Sequence, residues 1–182
     1  MRLRSEKNAT RSCAHDRSLP RAPHAGCAAN HPAALALEAR AAALLRAACI
    51  ALGRRPLAPR EAAQVIRYRH GERYALHYDN SEAQRASAPP LPRAATLIVY
   101  LREPCGGGHT HFPDARPPAA VAAAHGGAAA AGGGVRVAPR VGRAVVFWSA
   151  RADGGMDANC MHAAQPVRGG EKWIATRWFA EA

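Results

Sequence analysis

The hydrophobic positions change rhythm once along this chain. Between residues 33 and 52 the run "AALALEARAAALLRAACIAL" is apolar almost throughout, broken only by Glu38, Arg40 and Arg46. That pattern predicts a helix, closed by Gly53 with Pro56 just beyond. Its charges interrupt the roughly 18 consecutive apolar residues that a membrane span requires. "APREAAQ" (58–64) predicts a short helical turn. Downstream the rhythm shortens to runs of four to eight residues separated by Gly, Pro and Asp, which read as strands. They are "VIRY" (65–68), "RYALHYD" (73–79), "ATLIVYL" (95–101), "HTHF" (109–112), "VRVAP" (135–139), "RAVVFW" (143–148), "CMHAAQPV" (160–167) and "KWIATRWF" (172–179). Eight short strands behind one helix predict a mainly β, antiparallel sandwich of the jelly-roll type. The Ala/Gly-rich stretch 115–134 falls between two of these runs and reads as a loop inserted at a rim.

At 182 residues the chain suits a single domain with a substantial core. Residues 1–32 mix Arg, Ser, Pro, His and Ala without period and are expected to form a basic tail without fixed structure, leaving 33–182 as the domain. No apolar stretch opens the chain, so no secretory signal is expected. The formal charge of +12 invites a nucleic-acid partner, but its distribution argues against one. Residues 1–60 hold eleven Lys/Arg against three Asp/Glu, whereas 61–182 hold fourteen against ten. The excess therefore lies in the tail and first helix, not along the strands. Five cysteines (Cys13, Cys27, Cys49, Cys105, Cys160) are odd in number and lack C-x-x-C spacing. A zinc knuckle and a disulfide framework are not expected, while a single bridge stays open. Asn8 in "NAT" fits a glycosylation acceptor, a motif that also recurs by chance.

Candidate chemistry centres on His77-Tyr78-Asp79. Residues i and i+2 of a strand share a face, so His77 and Asp79 project side by side. They can share a hydrogen bond, line a polar face or hold a metal, and for an isolated pair the hydrogen bond is the default. Two ligands hold a divalent ion poorly, so a metal would draw a third from His109, His111, His125 or His162. His125 lies in the low-complexity stretch, a poor place to fix a ligand. Two histidines and a carboxylate on one face of a metal leave three positions open, the facial triad of non-haem Fe(II) oxygenases. A closed four-ligand structural zinc site leaves none. Open positions suit a bidentate 2-oxo acid and O2. A 2-oxoglutarate so bound would leave its far carboxylate deep in the barrel, where it needs a buried cation. Lys172, ten residues beyond His162, can supply that cation, with a hydroxyl from Thr110 or Tyr68. Lysine is ordinarily a surface residue. Yet Lys172 is the only lysine after residue 7 in a chain that otherwise uses Arg, as a site needing a compact ammonium would require.

The segments "QVIRYRHGERYALHYD", "RAATLIVYL", "GGGHTHFP", "VAPRVGRAVVFW" and "D…CMHAAQPVRGGEKWIATRWF" follow one another in a family's order. From about residue 49 to the C-terminus the chain resembles the alpha-subunit-like catalytic domain of the prolyl 4-hydroxylases, among the Fe(II)/2-oxoglutarate-dependent dioxygenases. The H-x-D alone is a weak signal; the ordered set over about 130 residues is specific. The resemblance implies a double-stranded β-helix, or jelly roll, with a supporting N-terminal helix. It implies that His77, Asp79 and His162 hold iron and, with Lys172, form the catalytic set. Lys172 would pair with the 2-oxoglutarate C5 carboxylate, helped by Thr110 and Tyr68, with Trp178 closing the pocket. Tyr74 and Arg93 match substrate-peptide contacts. The implied activity is procollagen-proline 4-dioxygenase-like: O2 and 2-oxoglutarate are consumed, a prolyl residue in a peptide or protein is hydroxylated, and L-ascorbate re-reduces the iron. The resemblance also suggests the endoplasmic reticulum, although no signal peptide or anchor is visible.

Three departures stand out. "GGGHTHF" has His109 where the family has the Glu of Gly-Gly-Glu-Thr, which puts the rim in question. The segment from Asp79 to Arg93 is short where the family carries a substrate-covering loop. The usual part before the first helix is replaced by the tail. Blander roles are expected for His109 and His111 (solvated, or behind the site), for Trp148, Trp173 and Phe147 (core) and for Cys160 (packing). Tyr68 and Tyr74 are divided between core and site. Other functions stay open. An oxygenase acting on lysyl residues or alkylated bases would keep the triad but usually uses Arg where Lys172 stands. A halogenase would lack Asp79. A non-catalytic β-barrel binding module would form no succinate, and a nucleic-acid binder would lose affinity steeply with salt.

Overall fold

In the computed structural model, which describes residues 25–26, 32–59, 61–80, 93–116 and 133–182, one long helix near the start of the described chain accompanies strands in two antiparallel sheets. In chain order these are β1 (Ala25–Gly26), α1 (Pro32–Ala51), β2 (Leu57–Pro59), β3 (Gln64–Tyr68), β4 (Tyr74–His77), β5 (Ala95–Arg102), β6 (Thr110–Phe112), β7 (Val135–Val137) and β8 (Ala144–Trp148). A 3-10 turn at Ala158–Cys160, β9 (His162–Ala164) and β10 (Lys172–Glu181) complete the order. The major sheet runs β1-β3-β10-β5-β8, with β2 also paired to β10; the minor sheet runs β4-β9-β6-β7. This is the expected mainly β jelly roll with one N-terminal helix.

Strand alternation explains how the core is divided. On β5, Ala95, Leu97 and Val99 face α1 and pack with Ala41, Leu45 and Phe179. Ile98 and Tyr100 face the opposite way and pack with Tyr68, Ile174, Ala164 and Val167 between the sheets. Both faces of β5 are thus covered, which is why "ATLIVY" reads as an unbroken apolar run. On β10 the even positions Lys172, Ile174, Thr176 and Trp178 line the pocket between the sheets. Toward the end of β10 the odd positions reach α1, where Phe179 joins the core and Arg177 pairs with Glu38 at 3.1 Å.

Two expectations need correction. "APREAAQ" forms no helical turn: Ala58 and Pro59 pair with Ala180 and Phe179 of β10, and Gln64 begins β3. β10 is ten residues long and β3 covers only Lys172–Thr176, so its remaining edge is taken by β2. That pairing is tertiary and leaves no mark in local propensity, while Pro59 is tolerated because β2 is an edge strand. Within the expected tail, Ala25 and Gly26 pair with Val65 and Gln64. The remainder of 1–31, including Asn8, lies outside the described residues, as do 81–92 and 117–132. Cys105 is disulfide-bonded, whereas Cys49 and Cys160 are buried free thiols. No helix among the described residues is long and apolar enough to cross a membrane.

Candidate metal and dicarboxylate site

The local chain path brings His77, Asp79 and His162 together by two simple relations. His77 on β4 and His162 on β9 are direct cross-strand partners, and Asp79 follows His77 by two positions. Their ring centroids lie 4.2 Å apart. Asp79 Oδ1 is 3.6 Å from His77 Nε2, and its Oδ2 is 3.9 Å from His162 Nε2. All three donor atoms fall within 4.8 Å of one another, the one such His/Cys/Asp/Glu group among the described residues.

Each imidazole is set by the main chain just before it. His77 Nδ1 donates to the Ala75 carbonyl at 2.8 Å, and His162 Nδ1 donates to the Cys160 carbonyl at 3.0 Å. In both cases the acceptor lies two residues back, so Nδ1 keeps the proton and Nε2 turns its lone pair toward Asp79. Burial lowers the pKa of His162, favouring the neutral imidazole that a metal needs. For Asp79, burial alone would raise the pKa, but His77, His162 and the Thr96 hydroxyl together bring it down to about 2. It therefore stays a carboxylate throughout the neutral range. This donor set fits a divalent ion such as Fe(II): two imidazole nitrogens and one anionic oxygen converge, and His77 stays partly open to the pocket.

Lys172 stands on the opposite sheet, 1 % exposed, and lines the same pocket of about 1110 Å³. Its ammonium donates to the Gly108 carbonyl at 2.9 Å and lies 4.4 Å from the centre of the Tyr68 ring. Among the described residues no carboxylate comes within ion-pair distance of it. Burial lowers its pKa to about 8. A buried cation without a protein anion fits the far carboxylate of a dicarboxylic acid anchored at the metal. Thr110 and Tyr68 line the pocket beside it. Tyr100, fully buried, donates to Thr110 Oγ1 at 2.7 Å and so fixes that hydroxyl.

The remaining expected residues occupy the pocket wall. Trp178 is buried and lines it, its indole Nε1 without a partner among the described residues. Arg93 stacks over the Trp178 ring at 3.8 Å and forms a two-pronged pair with Glu61 at 2.6 and 2.7 Å. Tyr74 is 55 % exposed at the mouth and meets His77 edge-on at 4.3 Å. His109 and His111 alternate with buried Thr110, and neither joins the metal cluster. Cys160 packs as expected, and its carbonyl also holds His162. Sequence reasoning missed Thr96, Ser149, Tyr100 and Glu61. A period-two reading of "ATLIVY" could have found two of them, since Thr96 and Tyr100 share the face that carries Ile98.

Comparison with known proteins agrees with this geometry. Residues 63–180 match the 2OG-Fe(II) oxygenase superfamily. A probable prolyl 4-hydroxylase 6 of Arabidopsis thaliana is 35 % identical over 119 residues, covering 65 % of this chain and 41 % of the plant protein. Prolyl 4-hydroxylase 2 of the same plant is 35 % identical over 122 residues, with the same two coverages. The chain thus spans about two fifths of the length of these relatives. The crystal structure of a viral collagen prolyl hydroxylase from Paramecium Bursaria Chlorella virus-1, a 2OG complex, superposes with a TM-score of 0.63 at 28 % identity. That superposition covers 84 % of this chain and 74 % of the viral one.

Proposed function

The chain belongs to the 2OG-Fe(II) oxygenase superfamily, and we propose that it is an Fe(II)- and 2-oxoglutarate-dependent dioxygenase hydroxylating prolyl residues in peptides. The observation that carries this reading is the pairing, across one pocket, of an open His77–Asp79–His162 cluster with the buried ammonium of Lys172, which has no carboxylate partner among the described residues. The similarity to plant prolyl 4-hydroxylases and to a viral collagen prolyl hydroxylase supports proline in a peptide as the substrate class.

His77, Asp79 and His162 hold the iron, their Nε2 and carboxylate atoms presented by the main-chain carbonyls and by Thr96. Lys172 binds the C5 carboxylate of 2-oxoglutarate, with Thr110 and Tyr68 adding hydroxyl groups and Trp178 closing the wall. Bound iron with 2-oxoglutarate and O2 supplies the oxidising power for C–H hydroxylation, with succinate and carbon dioxide as co-products, and ascorbate serves as its reductant. The apolar surround of Ile98, Ile174 and Ala164 keeps water from the reacting centre. Tyr74 and Arg93 meet the peptide at the mouth.

The test combines the protein anaerobically with Fe(II), 2-oxoglutarate and proline-rich peptides, then admits O2. Proline heavier by one oxygen atom and matching succinate are expected, and His162→Ala abolishes both. Undiminished succinate release in that variant overturns the iron site. Oxidation of another residue type moves the enzyme to a related oxygenase activity. A folded protein forming no succinate is a binding module.

A further inference from the structure

We propose that two buried hydroxyls, Ser149 and Thr96, form a relay that orients the Asp79 carboxylate and so sets the metal affinity of the site; this rests on reading His77, Asp79 and His162 as metal ligands. Thr96 Oγ1 donates to Asp79 Oδ2 at 2.6 Å and lies 3.1 Å from Ser149 Oγ. Both hydroxyl residues are 0 % exposed, so water does not compete for them.

The direction of the relay follows from proton counting. A carboxylate only accepts, and a threonine hydroxyl has a single proton. That proton goes to Asp79, so Thr96 Oγ1 must accept from the Ser149 hydroxyl. The bond to Oδ2 is charge-assisted and short, the stronger class of hydrogen bond. With Oδ2 engaged from behind, Oδ1, on the His77 side, is left to coordinate. One-oxygen coordination keeps the other positions of the ion open.

The support matters because of where Asp79 sits. β4 is the edge strand of the minor sheet, only four residues long, and Asp79 lies just past its end. Thr96 lies on β5, between β10 and β8, paired with Trp178 on one side and Phe147 on the other. A strand paired along both edges therefore holds a ligand that lies beyond the end of an edge strand. Thr96 and Ser149 are positioning residues, since neither belongs to the donor cluster.

Losing such an outer partner typically reduces metal affinity about 10- to 100-fold. The experiment titrates the metal-free protein with Co(II), without 2-oxoglutarate or O2, following the visible ligand-field band, with thermal melting alongside. Thr96→Val is expected to weaken Co(II) binding about 10- to 100-fold and shift the band. Thr96→Ser restores affinity to within a few-fold, and Ser149→Ala gives a smaller, several-fold loss. Co(II) binding that disappears in His162→Ala but is unchanged in Thr96→Val overturns the relay alone. Co(II) binding that is absent in the wild type, or survives His162→Ala, overturns the metal-site reading beneath it. Should Thr96→Val fail to fold, Ser149→Ala decides: a native melt with undiminished Co(II) affinity refutes the relay, and a several-fold loss rescued by Ser149→Thr upholds it.

Discussion

At the scale of single residues, Lys172 carries the most distinctive physics. Burial lowers its pKa from 10.5 to about 8. An arriving carboxylate demands the charged form, so 2-oxoglutarate binding must take up a proton wherever Lys172 is neutral. The 2-oxoglutarate dissociation constant of the Co(II)-loaded protein is therefore expected to rise toward tenfold per pH unit above about 8. Lys172→Met weakens binding at least tenfold at pH 7, flattens that slope and leaves Co(II) affinity within about twofold. Isothermal calorimetry without O2 measures all three. Stability moves the other way. Between pH 8 and 10.5 the unfolded chain holds a proton on this lysine that the folded chain has shed, so the contribution of Lys172 to stability rises with pH across that window, by on the order of 3 kcal/mol. Cys160 and Tyr68, both pushed up to about 12 by burial, contribute with the opposite sign at alkaline pH. Urea unfolding of wild type against Lys172→Met cancels them. Lys172 was legible in the sequence as the only lysine after residue 7 in an arginine-rich chain. Thr96 was legible only as a hydroxyl on the Ile98 face of its strand, because nothing local shows that it meets Asp79 across the fold.

Among the elements, the turn that introduces β6 tolerates little change. Gly107 has φ of +68°, and a Cβ there would stand 2.3 Å from the Pro166 carbonyl oxygen. Gly108, next to it, gives the carbonyl that Lys172 binds, and Thr110 follows. Gly107→Ala is expected to destabilise by more than about 2 kcal/mol, since the left-handed backbone accounts for about 1–2 and the backbone clash adds to it. Gly71, with φ of +80° and nothing within 4 Å of its would-be Cβ, bears only the first penalty. Thermal melts should show Gly107→Ala falling at least about 4 °C, clearly further than Gly71→Ala. Strand existence from residue 64 onward could be read from apolar rhythm, and every expected run contains a strand. β2 and β1 escaped because they owe their form to the edges of β10 and β3 that they cover, not to their own composition. The helix was readable because Gly53 and Pro56 punctuate a long Ala/Leu run.

Across the whole molecule, α1 and the pocket lie on opposite faces of the major sheet. Leu45, 1 % exposed, packs with Ala95, Leu97, Val99 and Phe179, and among the described residues none from α1 lines the pocket. Leu45→Ala should cost about 2–5 kcal/mol, seen as a melting temperature lower by roughly 5–15 °C. The protein that remains folded should bind Co(II) and 2-oxoglutarate as the wild type does, and weakened binding would show that the helix face and the pocket are coupled. The triad was foreseeable because H-x-D and a distant His sit in a recognisable series. The second sheet's part in holding it appears only when the chain is folded. The main-chain carbonyls of Ala75 and Cys160 carry a lasting consequence. No side-chain replacement at those two positions can remove the acceptor that aims each imidazole, so the aim is inherited with the path of the strands. Sequence drift around the centre can retune which guests it admits long before it blunts the centre itself.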